Sequence, residues 1–260
     1  NSSSKTDIER CRVLVEKAQA QGLPITVEAY PYGTGSTVLA AAFFSDPQFV
    51  ERNGTGYDSV QRVTDGYRFH DRAELLKAQA EEPSSLVLWH ILDTENNSHH
   101  RDLLDMSVLY PGGAIASDAM PWTTSDGKTY TGDAWPLPDD ATSHPRSAGC
   151  FTKFIREWVR ERKTVSLLEG VRKCALIPAE ILSQSTPAMR AKGRLAKDAD
   201  ADIVVFDYEK LSDRATFTAM NRPSEGVRHL VVSGQPLITD GVLDVTERPG
   251  KPVRRPVVGG

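Results

Sequence analysis

A single aspartate, Asp118, follows a short apolar run in "GAIASDAMPW" (residues 113–122) and could act as an acid or a base. Small and branched apolar residues after a glycine are typical of a buried strand in a parallel sheet, where ligands bind beyond the carboxyl ends of the strands. Asp118 would lie at such an end. Most aspartates after a strand instead start a turn or cap a helix. On this stretch alone, the turn or cap is the better interpretation.

Two further stretches contain groups that could bind an anion. In "EAYPYGTGST" (28–37), Tyr30 and Ser36 flank a glycine-rich turn, so two hydroxyls and nearby glycine amides could face one anionic group. A turn with Tyr30 packed in the core explains the same residues equally well. In "TSHPRSAG" (142–149), the guanidinium of Arg146 could hold a carboxylate through two hydrogen bonds. His144 beside it could ligate a metal, relay a proton or simply hydrogen-bond the loop, and the last is the preferred interpretation.

The elements that must position these residues alternate between helix and strand three times. The first helix begins with a capping box formed by Thr6 and Glu9. The three pairs are a helix from Thr6 to Gly22 with strand 23–33, a helix from about Asp71 to Glu82 with strand 85–90, and a weaker pair in 98–118. Such alternation predicts a parallel sheet with helical crossovers, hence an α/β fold.

The second half of the chain has a different character. Residues 121–144 are rich in Pro, Gly, Asp and Thr and are too long for an ordinary connection, which indicates a functional loop. Two helices follow, over 147–163 and from the Ser166 to Glu169 capping box to Cys174. From residue 185 onward, short β-branched strands are broken by Gly and Asp, which predicts a small β domain with a Pro-rich surface tail.

Composition narrows the class of partner. The 260 residues carry a formal net charge of -4, which is not the basic balance that nucleic acid or an anionic membrane requires. No apolar run approaches the roughly 20 residues of a membrane span, and the amino end has no signal pattern. Three cysteines without a C-x-x-C pair argue against disulfides and thiolate zinc, so a cytoplasmic location is expected. The chain begins without methionine and enters a helix almost at once, which is typical of the interior of a longer protein and equally of a processed chain.

In their order, "YPYGTGST", "SDAMPW", "HPR" and "GRLAKDADADIVVFD" resemble the carboxyl-terminal half of the N-acyl-D-amino-acid deacylases, or D-aminoacylases, of the amidohydrolase superfamily. The resemblance covers nearly the whole chain. It implies that residues 1–184 form the last βα units of a TIM-like barrel, with residues 121–144 as an active-site loop. Residues 185–260 would then belong to the small β domain and the tail. The implied reaction is metal-dependent hydrolysis of the amide bond of an N-acyl-D-amino acid.

The resemblance also implies individual roles. Asp118 matches the aspartate that acts as general base on metal-bound water, and it would contact the metal. Tyr30, Ser36 and Arg146 match positions that hold the α-carboxylate of the substrate. From their own positions in the sequence, His90, which ends a predicted strand, and His144 are candidates for lining the site. For His90, a histidine satisfied in the core or at the rim is the preferred interpretation.

The sequence contains no complete metal site of its own. The family's ligands, an H-x-H pair, a Cys or Glu and two further histidines, precede the region that the resemblance covers, so a divalent metal such as zinc would have most of its ligands upstream. His99 and His100 are adjacent and are predicted to be solvated. Two alternatives stay open: an amidohydrolase acting on cyclic amides or a related deaminase, and a non-catalytic remnant that binds an acidic small molecule or a partner protein. An isolated half-barrel would expose apolar surface, which predicts aggregation or a homo-oligomer.

Overall fold

The computed structural model describes residues 7–255 of the chain. The first predicted helix is present as α1, Ile8–Ala20, and is followed by Gly22 at φ +83°. Thr6 lies outside the described residues, and its capping box therefore stays a prediction. Within residues 7–255, no helix combines the length and the apolar character needed to cross a membrane.

Two short strands form a parallel pair, as the alternation predicts. Strands β1, Glu28–Ala29, and β5, Ala114–Ile115, run side by side in register. Helix α4, Ser98–Val108, packs against β1 and α1, so this part of the molecule is a layer of helices on a parallel sheet. Tyr30 directly follows β1 and Asp118 follows β5, which brings both residues to the carboxyl end of the pair.

The strand that ends at His90 does not join this parallel pair, and the prediction of one parallel sheet is wrong at that strand. A separate antiparallel sheet has the order β2-β4-β3, with Thr34 opposite His90 and Val60 opposite Trp89. The three strands are β2, Thr34–Val38; β3, Val60–Arg62; and β4, Leu86–His90. Apolar periodicity does not encode the direction of the neighbouring strand, which explains the error.

This antiparallel sheet has its own apolar core. Phe44, Phe49 and Trp89 pack together in tilted and edge-to-face contacts beside a short helix, α2, Phe49–Asn53. Helix α3, Arg72–Glu81, is as predicted, with the Asp71 side chain capping its start and Leu75 buried in the same core. Segments of 3₁₀ helix cover Ala42–Ser45, Tyr57–Ser59 and Pro187–Ala191.

The helix predicted over 147–163 is present in two geometries. Helix α5, Arg146–Phe154, continues directly into a π-helical segment, Ile155–Glu161. Trp158 of that segment is buried, and its indole nitrogen donates a hydrogen bond to Asp105 of α4 at 2.8 Å. Arg162, which follows the segment, also donates to Asp105. The π turn therefore faces the helix that covers β1.

Two helices and a second antiparallel sheet complete the fold. The helix start predicted at Ser166 is confirmed, since its hydroxyl accepts a hydrogen bond from the Glu169 amide at the start of α6. Helices α6, Leu167–Cys174, and α7, Leu176–Ser183, pack against β5. The sheet consists of β6, Ile203–Phe206; β7, Val227–Val232; β8, Gln235–Thr239; and β9, Val242–Leu243, in that order. The domain boundary at residue 184 stays a prediction.

Candidate active site

Asp118 and Arg146 form the centre of the site. Asp118 follows β5 with φ +47°, a left-handed conformation that is uncommon for residues other than glycine. Arg146 opens α5 and is 1% exposed. Its Nε donates to the Asp118 carbonyl and its Nη2 donates to Asp118 Oδ2, both at 2.7 Å. The strained Asp118 backbone and its carboxylate are thus held by one guanidinium, while the Asp118 side chain stays 63% exposed.

Tyr30 lies against the same guanidinium. The centre of its ring is 4.4 Å from Cζ of Arg146, which is the geometry of a cation–π contact. Tyr30 is buried in the main apolar core. The interpretation in which Tyr30 packs in the core agrees with this position, and the ring also supports Arg146. That the Tyr30 hydroxyl faces an anion stays a prediction.

Ser36 lies in the middle of strand β2, opposite Leu88, and not in a turn. Among the described residues its buried Oγ has no hydrogen-bond partner, and the same is true of Nη1 of Arg146. Buried side-chain donors without a partner are rare and cost about 1–3 kcal/mol each. Two of the three residues predicted to hold a carboxylate thus carry an unused buried donor, although no hydrogen bond links Ser36 to Arg146.

His144 is buried, and both nitrogens of its ring are occupied. Nδ1 accepts the backbone amide of Arg146 at 2.9 Å, and Nε2 lies 3.0 Å from the carbonyl oxygen of Thr34. Tyr32 and Phe217 pack against the ring edge to face, at 5.2 and 5.4 Å between ring centres. Burial and the neighbouring Arg146 charge lower the pKa of His144 to about 3. The prediction that this histidine hydrogen-bonds the loop agrees with these contacts.

His90 contacts the same threonine, Thr34, as His144 does. Its Nδ1 is 3.1 Å from Oγ1 of Thr34, and its Nε2 is 2.8 Å from Oε1 of Gln61. Burial lowers the pKa of His90 to about 4. His90 lines a cavity of about 880 Å³ between β2, α4 and the π-helical segment. As far as the described residues define that cavity, its wall does not include Asp118, Tyr30, Ser36 or Arg146.

The described residues do not form a metal centre by themselves. In residues 7–255, no three His, Cys, Asp or Glu side chains come together in a way that could hold an ion. The buried His144 and the partly buried His90 already use both ring nitrogens. His99 is exposed, as predicted, but the prediction that His100 is solvated is wrong, because His100 is buried and accepts the Asp93 amide at 3.0 Å.

Three residues that support the site were not identified from the sequence. Ser143 and Ser147 flank the H-P-R motif; Ser143 Oγ donates to the Met120 carbonyl at 3.0 Å, and Ser147 Oγ accepts the Met120 amide at 3.1 Å. They anchor the loop that carries Asp118. Lys173 is buried, and its Nζ donates to two backbone carbonyls beside the start of β5. Burial lowers the pKa of Lys173. The serines could have been found from their place beside the motif, whereas a lysine near a helix end normally indicates an exposed residue.

A family model described as "amidohydrolase family" matches residues 2–238. The chain belongs to this family.

Three similar proteins carry the names of the deacylases that the motifs resemble. The chain is 37% identical to N-acyl-D-glutamate deacylase of Alcaligenes xylosoxydans xylosoxydans over 119 residues, which cover 46% of this chain and 23% of that protein. It is 34% identical to N-acyl-D-aspartate deacylase of the same organism over 115 residues, covering 44% and 22%. D-aminoacylase of that organism is 24% identical over 86% of this chain and 40% of its own length. The predicted membership of the amidohydrolases is confirmed by the family model.

Solved structures show the same fold. N-acyl-D-glutamate deacylase from Bordetella bronchiseptica, complexed with zinc and a phosphonate inhibitor, matches with a TM-score of 0.66 at 23% identity, over 95% of this chain and 46% of that chain. A crystal structure of D-aminoacylase matches with a TM-score of 0.63 at 20% identity, over 93% and 46%. The α/β fold is confirmed, and the chain spans less than half the length of these relatives.

Proposed function

We propose that this chain forms part of a hydrolase that cleaves the amide bond of N-acyl-D-amino acids. The observation that carries the proposal is the pair of unused buried donors on Ser36 and Arg146. Buried donors without partners indicate a site that a ligand completes, and a carboxylate is the acceptor that a guanidinium binds best. The relatives named for N-acyl-D-amino-acid deacylation support the same class of substrate.

In this proposal, Arg146 and Tyr30 hold the substrate's α-carboxylate. The Arg146 guanidinium is fixed by two hydrogen bonds to Asp118 and by the Tyr30 ring, which leaves Nη1 for the substrate. Preorganised donors lose little side-chain entropy on binding, and this favours affinity. Ser36 is proposed as a further hydrogen-bond donor to the same carboxylate.

Asp118 is proposed to move the proton. Its exposed carboxylate accepts a proton from the attacking water as the C–O bond forms, and then delivers that proton to the amine nitrogen as the C–N bond breaks. The hydrogen bond from Arg146 Nη2 to Asp118 Oδ2 holds this carboxylate in position. The products are a free carboxylic acid and a D-amino acid.

A divalent metal is proposed for the whole protein but not for the described residues alone. The solved N-acyl-D-glutamate deacylase was complexed with zinc, whereas residues 7–255 of this chain contain no group of three ligand side chains. We propose that most of its ligands lie outside the described residues. The boundary at residue 184, the cytoplasmic location and the homo-oligomer stay predictions from the sequence.

A panel of substrates, assayed with the whole protein, tests the proposal. N-acetyl derivatives of D-glutamate, D-aspartate and D-leucine are compared with their L-enantiomers, with a hydantoin and with dihydrouracil. Turnover confined to the D-enantiomers supports the proposal. Turnover of only the cyclic amides would instead indicate an amidohydrolase that acts on cyclic amides. Binding without turnover would indicate a non-catalytic protein that binds an acidic small molecule.

A variant pair ties the activity to Arg146. R146K keeps the charge but loses the planar fork, and KM should rise about tenfold or more, since a hydrogen bond to a charged group contributes about 1.5–3 kcal/mol. R12K is the matched control, because Arg12 pairs with Glu16 on the surface of α1. Equal KM values for both variants would contradict the assignment of Arg146.

A further inference from the structure

We infer that His144 is a positioning residue that fixes Arg146 to strand β2, and that it is neither a metal ligand nor a proton carrier. The contacts that carry the inference are independent of any activity. Its effect on substrate affinity rests on the proposed function.

The hydrogen bonds of His144 define its tautomer. A backbone amide can only donate, so Nδ1, which receives the Arg146 N–H at 2.9 Å, carries no proton. The proton of the neutral ring therefore lies on Nε2, which donates to the Thr34 carbonyl at 3.0 Å. Neither nitrogen has a lone pair or a proton left for a metal or a substrate. The ring is also completely buried between aromatic neighbours, which excludes solvent.

The amide that His144 accepts is the first of helix α5. The first amides of a helix lack partners within the helix, and Pro145, at the cap position, provides no side-chain cap. His144 supplies the missing acceptor. The helix start, and Arg146 with it, is thereby held by a rigid ring two residues earlier in the chain.

The second contact of the ring extends this attachment to β2. Thr34 opens β2, and Ser36 lies two residues further on, on the same face of the strand. One imidazole therefore joins the helix that carries Arg146 to the strand that carries Ser36. Both residues are proposed to bind the same carboxylate, so His144 sets the spacing between the two halves of that site.

Two substitutions separate the two contacts. The Asn side chain places an oxygen close to the position of Nδ1, so H144N keeps an acceptor for the Arg146 amide. The Gln side chain reaches the position of Nε2, so H144Q keeps the contact with Thr34 and loses that acceptor. H100N is the matched control, because His100 is another buried histidine whose Nδ1 accepts a backbone amide.

The test combines amide exchange with kinetics in the encoded protein. Protein labelled with ¹⁵N-arginine reports the backbone amide of Arg146 by NMR, and the signal is assigned by its loss in R146K. We expect a protected amide in the wild type, H144N and H100N, and exchange at least about tenfold faster in H144Q. We also expect KM for the N-acyl-D-amino acid to rise about tenfold in H144Q, with kcat within about threefold of the wild type, which is the loss of roughly one hydrogen bond.

Two results would overturn the inference. The first is an Arg146 amide as protected in H144Q as in the wild type. The second is an equal rise in KM for H144Q, H144N and H100N, which would reduce His144 to a residue of general structural importance. If the wild type hydrolyses no member of the substrate panel, the proposed function fails, while the exchange comparison still decides the role of His144.

Discussion

Acidification is expected to destabilise the protein through His144. The folded state holds this ring neutral with a pKa of about 3, whereas a histidine in an unfolded chain has a pKa near 6.5. Below about pH 6.5 the unfolded state therefore binds a proton that the folded state does not bind. Stability from this residue is complete above that pH and is lost as the pH falls towards 3.

The size of the effect follows from the two pKa values. Between pH 7.5 and 5.5, the linkage relation gives a loss of about 1.4 kcal/mol in the free energy of unfolding from His144 alone. The pKa of the partially buried His90 shifts in the same direction, and the Arg146 charge also lowers the pKa of His144. The effect of His144 should therefore be isolated by substitution.

Urea unfolding of the wild type and H144N at pH 7.5, 6.5 and 5.5 measures the contribution. H144N has no titrating ring at this position, so its free energy of unfolding should fall by about 1.4 kcal/mol less than that of the wild type over this range. The exposed-histidine control, H99N, should follow the wild type. Parallel pH dependence of the wild type and H144N would refute the reasoning.

Two further predictions concern residues that support the fold around the site. G33A should destabilise the protein by about 1–3 kcal/mol, because an added Cβ would lie 2.5 Å from the Leu92 carbonyl oxygen. G250A is the control, since an added Cβ there meets open space, and its midpoint of thermal unfolding should not change. K173M should lower the free energy of unfolding by about 2–4 kcal/mol, because two buried carbonyls beside β5 lose their donor. K210M, at an exposed lysine, is the control and should not change stability. Equal urea midpoints for the two lysine variants would contradict this prediction.

Local signals in the sequence identified most individual elements. The capping box at Ser166 and the apolar run before Asp118 indicate a helix start and a strand end, and both are present. These signals depend on neighbouring residues in the chain, so a single sequence contains them. Two separate motifs likewise indicate Arg146 and Asp118 as site residues, and these two residues lie in direct contact.

Features that depend on contacts between distant residues were not predictable. The antiparallel pairing of the strand ending at His90 depends on which segment folds beside it, and a strand pattern does not contain that information. Lys173 donates to the carbonyl of Tyr110, which is far away in the sequence, and His100 accepts the amide of Asp93 across the turn before α4. In the sequence, the residues that flank His100 and Lys173 are typical of exposed positions.

The most direct test of the central claim is kcat/KM of the encoded protein for N-acetyl-D-glutamate, measured in the wild type and in D118N with metal content determined for both. Asn retains the size of the side chain and is a residue that tolerates the left-handed backbone found at this position. Loss of a proton-transfer group lowers the rate by about 10²-fold or more, and this is the result we expect. Activity of D118N within a few-fold of the wild type would contradict the role of Asp118 and, with it, the proposed mechanism.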